Sequence, residues 1–236
     1  MLEIIIFLLS IIHSIFGIGL LAIGTPLLLL LNYDFLIILK ILLPCSIFIS
    51  TFQIIKKKKF LDKDKKMIYT SLPFVFLGAA IIYFFSSRIN FKLIIGLSIL
   101  LILLLKIFLK NKIYLIIKNN KFTVISFAGL FHGLTNTGGT LVSLIFQDLK
   151  KNKYEIQACI AYTYFCYALI QYGVLNFYLK KLLFDYINIK LLIFVGLGYF
   201  LGNRLFNKIK HRYFLAILNF MIMLAGIYLI LSELIL

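Results

Sequence analysis

The sequence predicts an all-α integral membrane protein of eight membrane elements, arranged as two four-element inverted repeats in which elements one and five are broken or re-entrant. Three observations predict it. Of the 236 residues, 63% are hydrophobic, far above the roughly 45–50% of an ordinary soluble domain. The apolar residues fall into eight runs, most of them close to the ~20 residues that cross hydrocarbon as a helix. The two halves of the chain also resemble each other when residue n is set against residue n+119.

The first run, Leu2–Leu31, has its polar and glycine residues in the middle and not at its ends. A bend near Gly17–Pro26 would leave arms of roughly 14 and 7–8 residues, about 21 and 11 Å long at 1.5 Å per residue. Non-helical backbone at that depth is tolerated only where it is buried in protein or lines a wet cavity. Met1-Leu2-Glu3 is not a cationic signal-peptide start, and no small-residue cleavage site followed by a soluble domain appears, so this run is expected to stay in the mature protein. The second run, Phe35–Ile55, carries Ser46, Ser50 and Thr51. Met67–Phe85 and Leu93–Leu109 complete the first half.

The fifth run, Phe122–Phe146, repeats the pattern of the first: His13-x3-Gly17-Ile18-Gly19 aligns with His132-x3-Asn136-Thr137-Gly138. Gly24-Thr25-Pro26 follows in one, and Gly139-Thr140 and then Ser143 in the other. The sixth run, Ala158–Leu179, carries Thr163, Tyr164, Tyr167 and Gln171. Leu191–Leu205 and Phe214–Leu236 close the chain. Gly78 to Arg88 parallels Gly198 to Lys208, and Phe91-Lys92-Leu93 parallels Tyr213-Phe214-Leu215. The halves are read as 1–112 and 113–236 within one membrane domain.

The net charge of +17 comes from lysines clustered between apolar runs, where cytoplasmic loops carry them. Nucleic acid is therefore not an expected partner. Eight full crossings would divide Lys and Arg 15 against 10 between the two sides, whereas re-entrant elements one and five divide them 19 against 6. The stronger bias favours three crossings per half, an odd number that inverts one half relative to the other, with both termini extracytoplasmic. The longest polar interval is Lys56–Lys66, so no extramembrane domain is expected. Cys45, Cys159 and Cys166 form no C-x-x-C and sit in apolar runs, where cysteine behaves as a small buried hydrophobe.

Gly17-Ile18-Gly19-Leu20-Leu21-Ala22-Ile23-Gly24-Thr25-Pro26 and Gly129-Leu130-Phe131-His132-Gly133-Leu134-Thr135-Asn136-Thr137-Gly138-Gly139 resemble the glycine-rich motifs that open the two halves of the sulfite exporter TauE/SafE family. Gly78, and Gly198-x3-Gly202, ahead of Arg88 and Lys208, resemble its later small-residue helix and basic turn. The first motif lacks the family's adjacent glycines and the second lacks its proline, departures that would mark a subclass with another specificity. The resemblance implies a permease of the cytoplasmic membrane for a small sulfur-containing or organic anion such as sulfite or a sulfonate.

An anion at the midplane needs hydrogen-bond donors and positive potential without a permanent charge, which broken-helix N-termini supply. Gly17, Gly19, Gly24, Gly138 and Gly139, with Pro26 at the bend, would let backbone amides approach a ligand, and Thr25, Asn136, Thr137 and Thr140 would donate from side chains. Close helix packing accounts for the same small residues. His13 and His132 are two of three histidines and fall at equivalent positions; each would either meet the anion or a proton, or bond a carbonyl or serine as a neutral imidazole. Ser46, Ser50, Thr163, Tyr164 and Gln171 would complete a cavity wall or bridge helices. Arg88, Lys92, Lys180 and Lys181 would steer anions or snorkel at the interface.

No H-E-x-x-H, G-x-S-x-G, P-loop or paired intramembrane carboxylate is present, which weighs against hydrolases and ATP-driven pumps. The rival readings are a membrane redox or haem protein using His13 and His132, for which two ligands fall short of a closed metal site, and a non-transporting assembly scaffold. The expected partners are a small anion, the lipid bilayer and, as an option, a second copy of the chain in a homodimer; no cofactor is expected.

Overall fold

The computed structural model describes residues 1–61, 65–85, 119–150, 152–179 and 188–217, with isolated positions 90, 93, 94, 96, 97, 220, 223 and 227. Most of the expected fourth and eighth elements lies outside the described residues, as do Arg88, Lys92, Lys180 and Lys181. Among the described residues every regular element is helical: α1 Leu2–Phe16, α2 Gly24–Leu30, α3 Phe35–Lys57, α4 Lys65–Phe85, α5 Lys121–Thr135, α6 Gly139–Leu149, α7 Lys153–Leu179 and α8 Ile189–Lys208.

The long helices start where short polar side chains can cap them. Asp34 accepts from Leu36 N at 2.9 Å ahead of α3, Asn152 from Tyr154 N at 2.9 Å ahead of α7, and Asn188 from Lys190 N at 3.0 Å ahead of α8. Each satisfies a donor that has no partner within its helix. Among the described residues four helices are long and apolar enough to cross a bilayer, Phe35–Phe60 (α3 with the 3₁₀ turn Lys58–Phe60), Lys65–Phe84, Lys153–Phe177 and Ile189–Lys208, and α1 is a shorter apolar helix. The expected breaks are present: the first run is split into α1 and α2, the fifth into α5 and α6. The first break is tighter than the bend region anticipated, because Gly24-Thr25-Pro26 already forms the first turn of α2. Proline is tolerated there, since the first-turn amides have no helical acceptor.

Burial is inverted relative to a water-soluble fold. Ser10, His13, Ser46, Ser50, Gln53, His132, Gln157, Thr163 and Gln171 are buried, while Phe74, Phe76, Leu77, Phe127, Phe177 and Phe200 are exposed. An apolar solvent accounts for that outer surface.

Three helix pairs build the core: α4 on α5, α1 on α8, and α3 on α7. The third run therefore packs on the broken fifth run, and the seventh on the broken first run. Glycine permits both approaches. A Cβ at Gly78 of α4 would stand 2.5 Å from Leu130 O of α5, and one at Gly198 of α8 would stand 2.8 Å from Phe7 O of α1. This is the small-residue packing that lets membrane helices touch backbone to backbone.

Candidate functional site

The site begins with helices that stop inside apolar protein, leaving terminal carbonyls without helical partners. Such carbonyls are costly unless another donor reaches them. At the end of α1, Gln53 of α3 donates to His13 O at 3.0 Å and Ser14 O at 3.3 Å, and Gln157 of α7 donates to Ile15 O at 2.7 Å and also to Ser14 O. At the end of α5, Gln171 of α7 donates to His132 O at 3.1 Å and Gly133 O at 3.4 Å. Amides from the neighbouring long helices thus hold the two breaks open.

Both breaks turn through a left-handed residue, Gly17 at φ 77° and Asn136 at φ 60°, whose N–H returns to His13 O and His132 O at 2.7 Å. Glycine and asparagine are the residues that visit this region at least cost. The chain then folds back on the helix it has left. A Cβ at Gly19 would lie 2.8 Å from His13 Cα and from Leu9 O; one at Gly138 would lie 2.6 Å from His132 Cα and from Ala128 O. The two breaks are joined directly, because Asn136 Nδ2 donates to Thr25 Oγ1 at 2.8 Å.

Tyr164 of α7 stands between the histidines. Its ring is edge-on to His13 at 6.0 Å and to His132 at 5.3 Å, and its hydroxyl abuts Gly139 at the N-terminus of α6 so closely that any Cβ there would collide with it. The hydroxyl is fully buried and has no hydrogen-bond partner among the described residues. The same holds for Ser46 Oγ and for both ring nitrogens of His132. His13 is different: Leu20 N–H approaches Nδ1 at 3.4 Å and Nε2 lies 3.3 Å from Ser50 Oγ. An accepting Nδ1 leaves the proton on Nε2, so this imidazole donates to Ser50.

The remaining side chains divide by what they touch. Thr140 donates to Thr137 O at 3.1 Å, Thr137 and Thr135 share a hydroxyl contact at 2.9 Å, and Thr163 bonds Cys159 O on its own helix at 2.8 Å. Tyr167 links α7 to α4 through Ser71 Oγ at 2.8 Å, with its ring 5.0 Å from that of His132. Thr51 bonds Ile47 O on its own helix and is only half-buried. Gly24 is filled in by Leu9 and Leu42, and Gly17 by Ile160, so neither opens onto the polar cluster. Pro26 is buried in the first turn of α2.

Compared with protein families, residues 2–229 match the model of the sulfite exporter TauE/SafE family. The chain belongs to that family. Neither curated proteins nor solved structures give a match. Membership makes it a multi-pass membrane transporter of the sulfite-exporter kind. In this TauE/SafE member, sequence reasoning missed Gln53 and Gln157. The available signal for Gln53 was simple, since an uncharged amide inside an apolar run needs a partner and it stands 118 residues before Gln171, whereas Gln157 lies just ahead of the sixth run.

Proposed function

We propose that the chain is a secondary permease carrying a small anion of the sulfite or sulfonate class across the cytoplasmic membrane, through a centre where the breaks of two inverted repeats, 1–112 and 113–236, come together. The observation that carries this reading is the placement of Tyr164: one hydroxyl, fully buried and with no hydrogen-bond partner among the described residues, against the N-terminus of α6 and between the two histidine rings. A helix N-terminus offers free N–H groups and the positive end of its dipole, and a phenol adds a donor without adding charge. An oxyanion could be held there without the cost of a permanent buried cation.

The cargo contacts in this reading are Tyr164, His132, Ser46 and the amides of Gly138 and Gly139, with Asn136 and Thr25 tying the breaks together behind them. Repeat symmetry is supported by the pairs Gly17 and Asn136, Gly19 and Gly138, and His13 and His132, each 119 residues apart and each in matching surroundings along the backbone. Broken helices meeting at the repeat interface are the setting in which secondary transporters bind substrate.

The test is counterflow in proteoliposomes with sulfite, thiosulfate, short sulfonates and small carboxylates, comparing the parent with Tyr164→Phe. Saturable flux of one anion is expected, with a KM raised roughly tenfold or more when the hydroxyl is removed, the cost of one hydrogen bond to a charged group. Absence of flux for every anion from folded parent protein would overturn the reading.

A further inference from the structure

At the end of the bundle where α3 and α8 finish and α7 begins, a cleft of about 430 Å³ is lined by Lys56, Lys57 and Lys59, by Asn152 at the cap of α7, and by Asn203 and Asn207 of α8. The Phe60 and Tyr154 rings stack at its edge, 6.1 Å apart with 22° between their planes. Lys57 is the unusual member. It is only 5% exposed, and its ammonium lies 3.8 Å from the centre of the Phe206 ring. A second buried lysine, Lys153, approaches the same ring at 4.5 Å but commits its ammonium to the carbonyls of Phe206 and Ile209, at 2.7 and 2.6 Å, at the end of α8. Among the described residues no carboxylate pairs with Lys57 or Lys153.

Two ammonium groups buried on one ring, beside two further lysines, repel each other and have lost hydration; such an arrangement is stabilised by an anion. The carbonyls that end α8 compensate Lys153. Lys57 faces aromatic rings and the cleft. Asn152 also brings the positive end of the α7 dipole to the same wall. Because the cleft lies at the end of the apolar span Phe35–Phe60, its depth is that of the headgroups, where basic pockets between membrane helices take anionic lipid.

We propose that this cleft binds the phosphate of an anionic phospholipid headgroup, with Lys57 as the buried contact and Lys56, Lys59 and the asparagine amides closing around it. A soluble oxyanion shares that chemistry, and the test separates the two. The purified full chain is equilibrated in detergent micelles with equal amounts of phosphatidylglycerol and phosphatidylcholine, and retained lipid is counted by native mass spectrometry. The parent, a Lys56→Gln/Lys59→Gln double variant and Lys57→Met are compared, with and without millimolar inorganic phosphate. The parent is expected to retain phosphatidylglycerol preferentially, the preference falling roughly fivefold per lysine removed and resisting soluble phosphate. Lys56 and Lys59 are exposed, so the double variant stays informative even if Lys57→Met fails to fold. Equal retention of the two lipids by the parent, or a preference that survives the double variant, would overturn the proposal. Displacement of the lipid by soluble phosphate would overturn the lipid source and reassign the cleft to a free oxyanion.

Discussion

His13 and His132 end their helices in the same way, yet their rings meet different company. His13 is held from both sides, by the Leu20 amide and by Ser50, whereas neither nitrogen of His132 makes a hydrogen bond of ordinary geometry among the described residues, with the Gln171 side chain alongside. A buried polar atom without a partner is where a ligand's hydrogen bond adds most. His132→Gln should therefore keep the fold and raise the KM for the transported anion about tenfold or more, the scale of a hydrogen bond to a charged group. His13→Ala should instead lower the thermal midpoint by leaving Ser50 and the Leu20 amide unsatisfied, about 1–3 kcal/mol. Melting curves and counterflow on the two variants separate these effects; the same KM change from both would remove the assigned asymmetry. The sequence placed both histidines at repeat positions and could not distinguish them, because the difference arises from Ser50, 37 residues from His13, and from how the chain folds back at Leu20. Tyr164 was legible only as one polar residue among several on its helix. What singles it out is its hydroxyl resting on Gly139, a contact across elements that no local pattern records.

At the scale of elements, the breaks were readable because glycine and polar residues interrupted long apolar runs. The pairing of helices was not. Periodicity reports which residues a helix buries and leaves open which neighbour receives them; here α4 meets α5 and α8 meets α1, so the third and seventh runs pack on the broken fifth and first runs. Gly78 and Gly198 mark those two contacts. A Cβ on either would fall within 2.8 Å of backbone on the opposite helix, and backbone cannot yield as a flexible side chain can. Gly78→Leu and Gly198→Leu should each lower stability in detergent by about 1–3 kcal/mol or more, the range of overpacked cores, read as a drop in the thermal midpoint. Gly173 on α7 is the built-in control, since a Cβ there meets nothing within 4 Å. Gly173→Ala should be neutral or stabilising by roughly 0.5–1 kcal/mol, because alanine restricts the unfolded chain and favours helix. Equal melting of all three variants would mean that these helix pairs do not depend on close approach.

For the whole molecule, the distribution of Lys and Arg makes a claim about topology that the breaks make physically reasonable. α1 has 15 residues and α2 has 7, lengths of about 22 and 11 Å at 1.5 Å per residue, and only the longer approaches the ~30 Å of hydrocarbon. A pair that enters and returns would place Glu3 and Asn32 on one face of the membrane and Lys58, beyond the full span α3, on the other. A pair that crosses completely would place Glu3 and Lys58 on the same face and Asn32 opposite. In a background with Cys45, Cys159 and Cys166 replaced by alanine, single cysteines at these three positions can be probed with a membrane-impermeant thiol reagent, from outside intact cells and then after permeabilisation. Labelling of Glu3→Cys and Asn32→Cys from outside, with Lys58→Cys reached only after permeabilisation, is expected. That pattern would make the first broken run re-entrant, put the N-terminus outside the cell and leave the lysine-rich end of α3 in the cytoplasm, where the positive-inside rule requires it. Glu3 and Lys58 labelling together would require the first run to cross completely, and would remove the odd count of crossings on which the inversion of the halves rests.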